Sequence, residues 1–327
     1  MEHSVSRAET RVKRESATQK VALIGECMIE LQRRDGSIKQ GYAGDVLNTS
    51  TYLARLTKNT PVAVEFVTAL GEDLFSNQMV ESWACESIGA SLVQRLPDRL
   101  PGIYFIENDD SGERKFYYWR NDSAAKRMFD NKQLALALEQ LSDLQLVYLS
   151  GITLAILSAS ARATLLDLLC ELKSRGTWIV FDNNYRQILW ESAEETCSAY
   201  DSLLAIADIA LLTWDDEAQL RGYASPDEVV QHCRQFDISE LVIKRGSEPC
   251  ILVTANGREE WAAERVERVV DTTAAGDSFS GAYLAARLRG LSARAAVQWG
   301  HRMASLVIQY PGAIIPPSVM PDLDRWQ

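Results

Sequence analysis

The chain has 327 residues, of which 46% are hydrophobic and 24% charged, the composition of a globular protein with a sizeable core. Its net charge of −11 would repel polyphosphate backbones, which argues against a nucleic-acid partner, and no uncharged apolar run is long enough to cross a membrane. Residues 1–19 are polar and lack the apolar core of a signal peptide, so we expect a flexible N-terminal tail on a cytoplasmic protein. Six scattered cysteines predict reduced thiols, and three histidines without a metal-binding pattern argue against zinc.

From residue 20 onward, short apolar runs alternate with helical patterns. The runs that predict strands are 20–25, 62–70, 144–150, 177–182, 209–213, 241–244 and 251–254. The patterns that predict helices are 48–56, 78–87, 133–141, 159–173 and 226–236. Strands that are apolar throughout and separated by helices indicate a mostly parallel sheet with helices on both faces.

One segment interrupts this alternation. Residues 102–107 (GIYFIE) and 113–120 (ERKFYYWR) flank Asn-Asp-Asp-Ser-Gly, a sequence typical of the turn in a β-hairpin. Because a hairpin does not easily join a parallel sheet, we expect it to form a small antiparallel lid over one edge.

The common nucleotide-binding motifs are absent from the sequence. There is neither a GxxxxGK[ST] loop nor a GxGxxG turn after the first predicted strand. A nucleotide-binding protein with this sequence therefore needs another way to hold phosphate.

The segment 269–281 (VVDTTAAGDSFSG) is the strongest candidate for chemistry. We expect an extended run over 266–270, a turn of small residues, and a helix over about 278–288. Such a turn directs the backbone N–H groups of Ala275, Gly276 and Asp277 toward one point, which makes an anion hole without a lysine. Asp277 alone could be a helix cap, but beside an anion hole it suits a group that accepts a proton from an attacking nucleophile.

Two segments together resemble one enzyme family. DTTAAGDSFSGA is similar to the C-terminal signature of the ribokinase/PfkB family of sugar kinases, and residues 41–48 (GYAGDVLN) resemble its sugar-binding turn, GGxxxN, with Ala43 in place of the first glycine. Residues 25–31 (GECMIEL), 116–121 (FYYWRN), 181–186 (FDNNYR) and 308–316 (IQYPGAIIP) resemble the sugar-acid branch of that family.

The resemblance implies a ribokinase-like three-layer α/β/α sandwich with a mostly parallel central sheet and a small β lid. The kinase domain would span 20–317, with the lid from about 30–45 and 98–122 and a C-terminal tail over 318–327. The implied reaction is ATP-dependent phosphorylation of 2-dehydro-3-deoxy-D-gluconate to its 6-phosphate, with Mg²⁺ and, at a separate site, a monovalent cation such as K⁺.

The resemblance also implies residue roles. Asp277 would be the general base, with the backbone of Ala274, Ala275 and Gly276 as the anion hole. The implied substrate-binding residues are Gly44, Asp45, Asn48, Tyr104, Tyr118, Arg120, Arg186 and Asp277. The implied nucleotide-binding residues are Asn184, Lys244, Gly246, Ser247, Ala275 and Gly276.

Three further residues are implied to act on metal ions. Glu217 occupies the place of the family's NxxE motif, where it would act on magnesium through water, although Trp214 replaces the Asn. A cluster of acidic residues that complements a helix dipole is the alternative for this segment. Asp271 and Thr273, with the loop near Gly312, resemble a monovalent-cation site.

The chemistry of two arginines supports the sugar-acid branch independently. A carboxylate substrate calls for a cation, and a planar guanidinium is the best one. Arg120 ends the predicted lid strand, and Arg186 follows a strand at the carboxyl edge of a parallel sheet, where ligands bind. The alternative for each is an ordinary surface arginine.

The remaining alternatives concern function. A neutral ketose kinase, such as a fructokinase, would not need both arginines, and a non-catalytic sugar-acid sensor would not need Asp277. The expected partners are a small sugar acid and ATP, and the exposed edge of a β lid favours a homo-oligomer.

Overall fold

A computed structural model describes residues 18–34, 36–108, 114–141, 144–321 and 326. Its strands are β1 (Gln19–Ile24), β2 (Met28–Arg34), β3 (Ser37–Ala43), β4 (Val62–Leu70), β5 (Ile88–Gly89), β6 (Val93–Arg95), β7 (Ile103–Asn108), β8 (Arg114–Trp119), β9 (Leu144–Ser150), β10 (Trp178–Asp182), β11 (Ile209–Thr213), β12 (Glu240–Arg245), β13 (Glu248–Thr254) and β14 (Gly257–Trp261). Its α-helices are α1 (Asp45–Thr57), α2 (Leu74–Cys85), α3 (Gln133–Glu139), α4 (Gly151–Ile156), α5 (Ala159–Ser174), α6 (Ala193–Leu204), α7 (Trp214–Arg221), α8 (Pro226–Cys233), α9 (Ala275–Leu288) and α10 (Ala293–Val307).

The larger sheet has the strand order β14-β13-β12-β11-β10-β9-β1-β4-β5, with β6 also paired to β4. The strands from β12 to β5 run parallel, and β13 and β14 extend one edge in antiparallel fashion. The predicted mostly parallel sheet is confirmed. In such a sheet the loops after the carboxyl ends of the strands meet at one edge, which is where ligands bind.

Helices cover both faces of this sheet because its strands are apolar on both sides. Along β1, Ala22 and Ile24 face one core with α3 to α8, whereas Val21 and Leu23 face the other core with α1, α2, α9 and α10. This alternation follows from the two-residue period of a strand. The three-layer α/β/α sandwich predicted from the sequence is therefore confirmed.

The second sheet is a four-stranded lid with the order β3-β2-β7-β8. Strands β2 and β3 form one hairpin and β7 and β8 another, and β2 pairs with β7 in parallel. The predicted hairpin is confirmed, although its turn, residues 109–113, lies outside the described part of the chain. The lid stands over the carboxyl edge of the large sheet and closes one side of a cleft.

Some local predictions are wrong in ways that have a physical cause. Helix α2 begins at Leu74 rather than 78, because the Asp73 carboxylate caps it by accepting the N–H groups of Phe75 and Ser76 at 2.9 and 3.1 Å. The run 266–270, predicted only to be extended, joins neither sheet, which does not contradict that prediction, and the Val270 N–H donates to the Ile308 carbonyl at 2.8 Å. Within the described ranges, no helix is both long and apolar enough to span a bilayer.

Candidate active site

The turn before α9 opens an anion site at the helix N-terminus. Ala274 has a φ of 60°, in the left-handed region that side chains other than glycine rarely adopt. This conformation reverses the chain, and the Ala274 carbonyl accepts the Ser278 N–H at 2.8 Å as the first bond of α9. Backbone strain of this kind is concentrated at functional sites.

The N–H groups at this turn are arranged slightly differently from the prediction. The Ala275 N–H, expected to be free, donates to the Thr272 carbonyl at 3.2 Å and closes the turn. The N–H groups of Gly276 and Asp277 lie in the first helical turn, where no earlier helical carbonyl is available to accept them. These two donors, with the positive end of the helix dipole, form the part of the turn that can bind an anion.

Gly276 contributes space rather than unusual backbone geometry. Its φ is not positive, and a Cβ added at this position would lie 3.5 Å from the Lys244 ammonium nitrogen, an ordinary contact. A larger side chain would extend into the cleft in front of the two N–H groups.

Asp277 lies at the mouth of this turn, in contact with α1. Its Oδ2 accepts a hydrogen bond from the Asn48 amide at 2.8 Å. Burial raises the pKa of Asp277 well above its ordinary value, as do the nearby carboxylates of Asp45 and Asp182, while Asn48 and Lys244 oppose the shift. A carboxylate with a raised pKa next to an anion site is suited to accept a proton near neutral pH.

A buried ion pair supports the turn from the sheet. The Lys244 ammonium, at the end of β12, donates to Asp182 Oδ2 at 2.7 Å, and the Ser280 hydroxyl donates to the same oxygen at 2.8 Å. Both ionic side chains are buried, so Asp182 holds the Lys244 charge in one place beside the anion turn.

The turn that begins α1 brings its three predicted residues to the same cleft. Gly44 has no room for a side chain, because a Cβ there would lie 2.2 Å from the Glu26 carbonyl oxygen. This explains why a glycine is needed at position 44 although Ala43, on β3, is tolerated. Asp45 and Asn48 follow on α1, and Asn48 reaches Asp277 as described above.

Arg120 lies at the base of the lid, buried rather than exposed. Its guanidinium Nη2 donates to Glu26 Oε2, the Ser123 hydroxyl donates to Glu26 Oε1, and only 9% of Arg120 is accessible. Its Nε has no partner among the described residues. The side chain lines the cleft.

Arg186 follows β10 of the large sheet and is held more loosely than Arg120. Its side chain is 53% exposed, its Nη1 donates to the Tyr185 carbonyl at 2.7 Å, and Asp216 Oδ1 lies 3.8 Å away. Burial raises the pKa of Asp216 to about 6, although Arg186 opposes the shift. The two predicted arginines therefore line one cleft from two sides.

The lid adds the two predicted tyrosines. The Tyr104 hydroxyl donates to Glu30 Oε2, and burial and the Glu30 carboxylate raise the pKa of Tyr104 well above its ordinary value. Tyr104 and Tyr118 lie on neighbouring strands with ring centroids 5.8 Å apart, and Tyr118 is half exposed. These side chains give the lid an aromatic surface that faces the cleft.

The predicted nucleotide residues divide between the two ends of the cleft. Lys244, Gly246 and Ser247 line it beside the anion turn. Asn184 also lines the cleft, but its amide donates to Asp45 Oδ2 at 2.7 Å, so this residue is linked to the α1 turn.

The residues predicted to act on metal ions are in two different settings. Only 1% of Glu217 is accessible, and its two oxygens accept hydrogen bonds from Asn183 and Arg221, both at 3.0 Å. Its role toward magnesium stays a prediction, and its neighbours Asp215 and Asp216 line the cleft instead. Asp271 accepts from the N–H and hydroxyl of Thr273 and from the Gly312 N–H, which brings together all parts of the predicted monovalent-cation site.

The cleft has a volume of about 1680 Å³, enough for two small-molecule substrates side by side. Eight carboxylate side chains and five guanidinium or ammonium groups line it. Anionic ligands in such a cleft need the local donors described above and additional positive charge from a metal ion.

Sequence reasoning missed three residues that shape this cleft, namely Glu26, Asp182 and Asp216. Glu26 and Asp182 each stand within or just after the end of a central strand, in segments whose resemblance to the family was already noted. A carboxylate at the carboxyl end of a parallel strand could have indicated a residue of the binding site, because that edge of the sheet is where ligands bind.

The fold and the anion turn are those expected of a phosphotransferase of the sugar-kinase type, and comparison with known proteins agrees. The profile of the pfkB family carbohydrate kinases matches residues 18–320, so the chain belongs to this family. It is 48% identical over 307 residues to a 2-dehydro-3-deoxygluconokinase from Escherichia coli K12, covering 93% of this chain and 99% of that protein. It is also 48% identical over 308 residues to a protein of the same name from Dickeya dadantii, covering 93% of this chain and 99% of that one.

A solved structure supports the same fold. A candidate ribokinase II from E. coli, in complex with ATP and Mg²⁺, superimposes with a TM-score of 0.77 at 22% identity and covers 90% of this chain and 94% of that one. The predicted family and fold are both confirmed.

Proposed function

We propose that this protein transfers the γ-phosphoryl group of ATP to the primary hydroxyl of 2-dehydro-3-deoxy-D-gluconate, giving the 6-phosphate and ADP. The observation that carries the proposal is that Asp277, the anion turn, Arg120 and Arg186 all line one cleft. Two relatives that are 48% identical and named for this activity support it.

The side chains suggest how the transfer proceeds. Asp277 accepts the proton of the hydroxyl as its oxygen forms a bond to the γ-phosphorus, and the bond from phosphorus to the bridging oxygen of ADP breaks. The N–H groups of Gly276 and Asp277 and the Lys244 ammonium stabilise the negative charge on the transferring group. The lid excludes water, which would otherwise compete as the acceptor.

Magnesium fits this cleft. The cleft is rich in carboxylates, including Asp215 and Asp216, and would repel a polyphosphate that arrived without a cation. When bound, Mg²⁺ neutralises phosphate charge and helps to align the transfer. The chain's own contribution is to position the proton acceptor and the backbone donors.

Three finer points belong to the same proposal. The Asp271, Thr273 and Gly312 cluster supports a monovalent-cation site next to the anion turn. Strand β8 is the last strand in the order of the lid, and this outer edge supports a homo-oligomer. We place the enzyme in the cytoplasm, where ATP is available.

An ADP-release assay over a panel of sugars and sugar acids tests the proposed function. We expect kcat/KM for 2-dehydro-3-deoxy-D-gluconate to exceed that for fructose and other neutral ketoses by at least about tenfold, since the arginine contacts to the acid are charge-assisted. Equal or better use of fructose would favour the ketose kinase. Sugar-acid binding without ADP release from any compound would favour a sensor.

A further inference from the structure

Glu26 lies outside every site predicted from the sequence, yet it occupies the junction between the central sheet and the lid. It stands between β1 and β2 and is only 3% exposed. One of its carboxylate oxygens accepts a hydrogen bond from the Arg120 guanidinium, and the other accepts one from the Ser123 hydroxyl. Both oxygens are thus used to hold one arginine and the segment that follows it.

The close packing around Glu26 shows that its position is fixed. A Cβ on Gly102 would lie 3.0 Å from Glu26 Oε1 and 3.0 Å from Arg120 Cβ, so Gly102 packs tightly against the ion pair. On the other side, the Glu26 carbonyl oxygen would be 2.2 Å from a Cβ on Gly44. One residue therefore contacts both the turn that begins α1 and the arginine of the lid.

The ion pair also explains how Arg120 can be buried at the cleft. A guanidinium without a counter-ion in this position would pay a large desolvation cost. Glu26 compensates the charge through one terminal nitrogen, while the buried Nε of Arg120 has no partner within the described ranges. The arginine is thus fixed by its ion pair at the wall of the cleft.

We propose that Glu26 is a positioning residue that fixes the Arg120 guanidinium for recognition of the sugar acid. The proposal rests on the proposed function and adds that Glu26 acts through Arg120. It follows that Arg186, which is half exposed and more loosely paired, supplies most of the net positive charge for the carboxylate.

A double-mutant cycle measured by calorimetry tests this proposal. The proteins are the full-length wild type, Glu26→Gln, Arg120→Ala and the double variant, each titrated with 2-dehydro-3-deoxy-D-gluconate and, separately, with ATP. Glu26→Gln should weaken sugar-acid binding about tenfold or more, the range for a lost charge-assisted contact, and leave ATP affinity within about twofold. In the Arg120→Ala background, Glu26→Gln should weaken sugar-acid binding by less than about a further twofold, because the residue through which Glu26 acts is already gone.

Further variants separate positioning from a general loss of structure. Glu195→Gln breaks another partly buried ion pair, with Arg162, on helices α5 and α6, and should leave sugar-acid affinity unchanged. If Arg120→Ala fails to fold, Arg120→Met replaces it, because methionine keeps much of the apolar bulk of the side chain but cannot pair with Glu26. The proposal is overturned if Glu26→Gln binds the sugar acid like the wild type. It is also overturned if the loss of affinity in the double variant equals the product of the two single losses, or if Glu195→Gln weakens sugar-acid binding as much as Glu26→Gln does.

The wild-type assay keeps this inference distinct from the proposed function. If the wild type prefers another sugar, the assignment to the sugar acid fails. The same cycle is then measured with that sugar, since Arg120 lines the cleft whichever sugar is bound. Coupling between Glu26 and Arg120 would still support positioning, and independent effects would contradict it.

Discussion

The phosphate end and the sugar-acid end of the cleft are built in different ways. At the phosphate end, the proposed backbone donors come from one continuous turn, in which Ala274 reverses the chain and Gly276 and Asp277 present their N–H groups. The sugar-acid end joins distant segments, such as Glu26 with Arg120, which are 94 positions apart in sequence. The difference indicates that the backbone donors are set locally, whereas the environment of Asp277 and the placement of Arg120 depend on packing between distant segments.

The largest effect should come from the carboxylate that accepts the proton. Asp277→Asn should lower kcat by about 10²–10⁴-fold, the range for loss of a general base. Sugar-acid affinity should stay within a few-fold of the wild type, because the amide keeps the shape of the carboxylate. Steady-state kinetics and calorimetry measure the two quantities, and near-normal kcat would show that Asp277 is not the proton acceptor.

The anion turn should come next. Gly276→Val should lower kcat by about 10²–10³-fold, comparable to losing one donor of an oxyanion hole, because its methyl groups would occupy the space in front of the two N–H groups. Gly276→Ala is the matched control, since a Cβ there makes only an ordinary contact at 3.5 Å with Lys244. We expect the alanine variant to keep most of its turnover, and a folded valine variant with normal kcat would remove this turn from the mechanism.

At the other end of the cleft, Arg186→Ala should change substrate choice. We expect kcat/KM for the sugar acid to fall about 10- to 150-fold, as for a lost charge-assisted hydrogen bond, with a much smaller change for fructose. Arg186→Lys should recover little, because an ammonium cannot make a two-pronged contact with a carboxylate. An unchanged ratio between the two substrates would show that this arginine does not read the acid.

The smallest effect concerns pH. Asp277 accepts a proton only when it is ionised, and its pKa is raised. The fall of kcat/KM at acid pH should therefore be centred well above the ordinary aspartate pKa of about 3.9. Asn48 stabilises the ionised form and Asp45 destabilises it. Asn48→Ala should therefore move this fall to higher pH, and Asp45→Asn should move it to lower pH. Shifts in the same direction, or a fall centred near pH 4, would contradict this assignment.

The contrast between the two ends also explains what could be predicted from the sequence. The parallel sheet, the hairpin of the lid and the turn at Asp277 follow from patterns within short segments, and the family resemblance completes the fold. The segments carrying Arg120 and Arg186 could be identified for the same reason.

The pairing of these residues could not be predicted, because it depends on contacts between distant segments. Nothing near Arg120 in the sequence indicates that Glu26 holds it, and nothing near Glu217 indicates that Asn183 and Arg221 engage both of its oxygens. The capping of α2 by Asp73 could have been predicted from the sequence, because an aspartate before a helical pattern commonly marks the start of a helix.

The most direct test of the division between the two ends is to measure kcat and the sugar-acid dissociation constant for Asp277→Asn and Arg186→Ala side by side with the wild type. We predict that Asp277→Asn loses kcat while its dissociation constant is kept, and that Arg186→Ala weakens binding about 10- to 150-fold with a much smaller loss of kcat at saturation. The account would be contradicted if both variants changed the same quantity by similar factors.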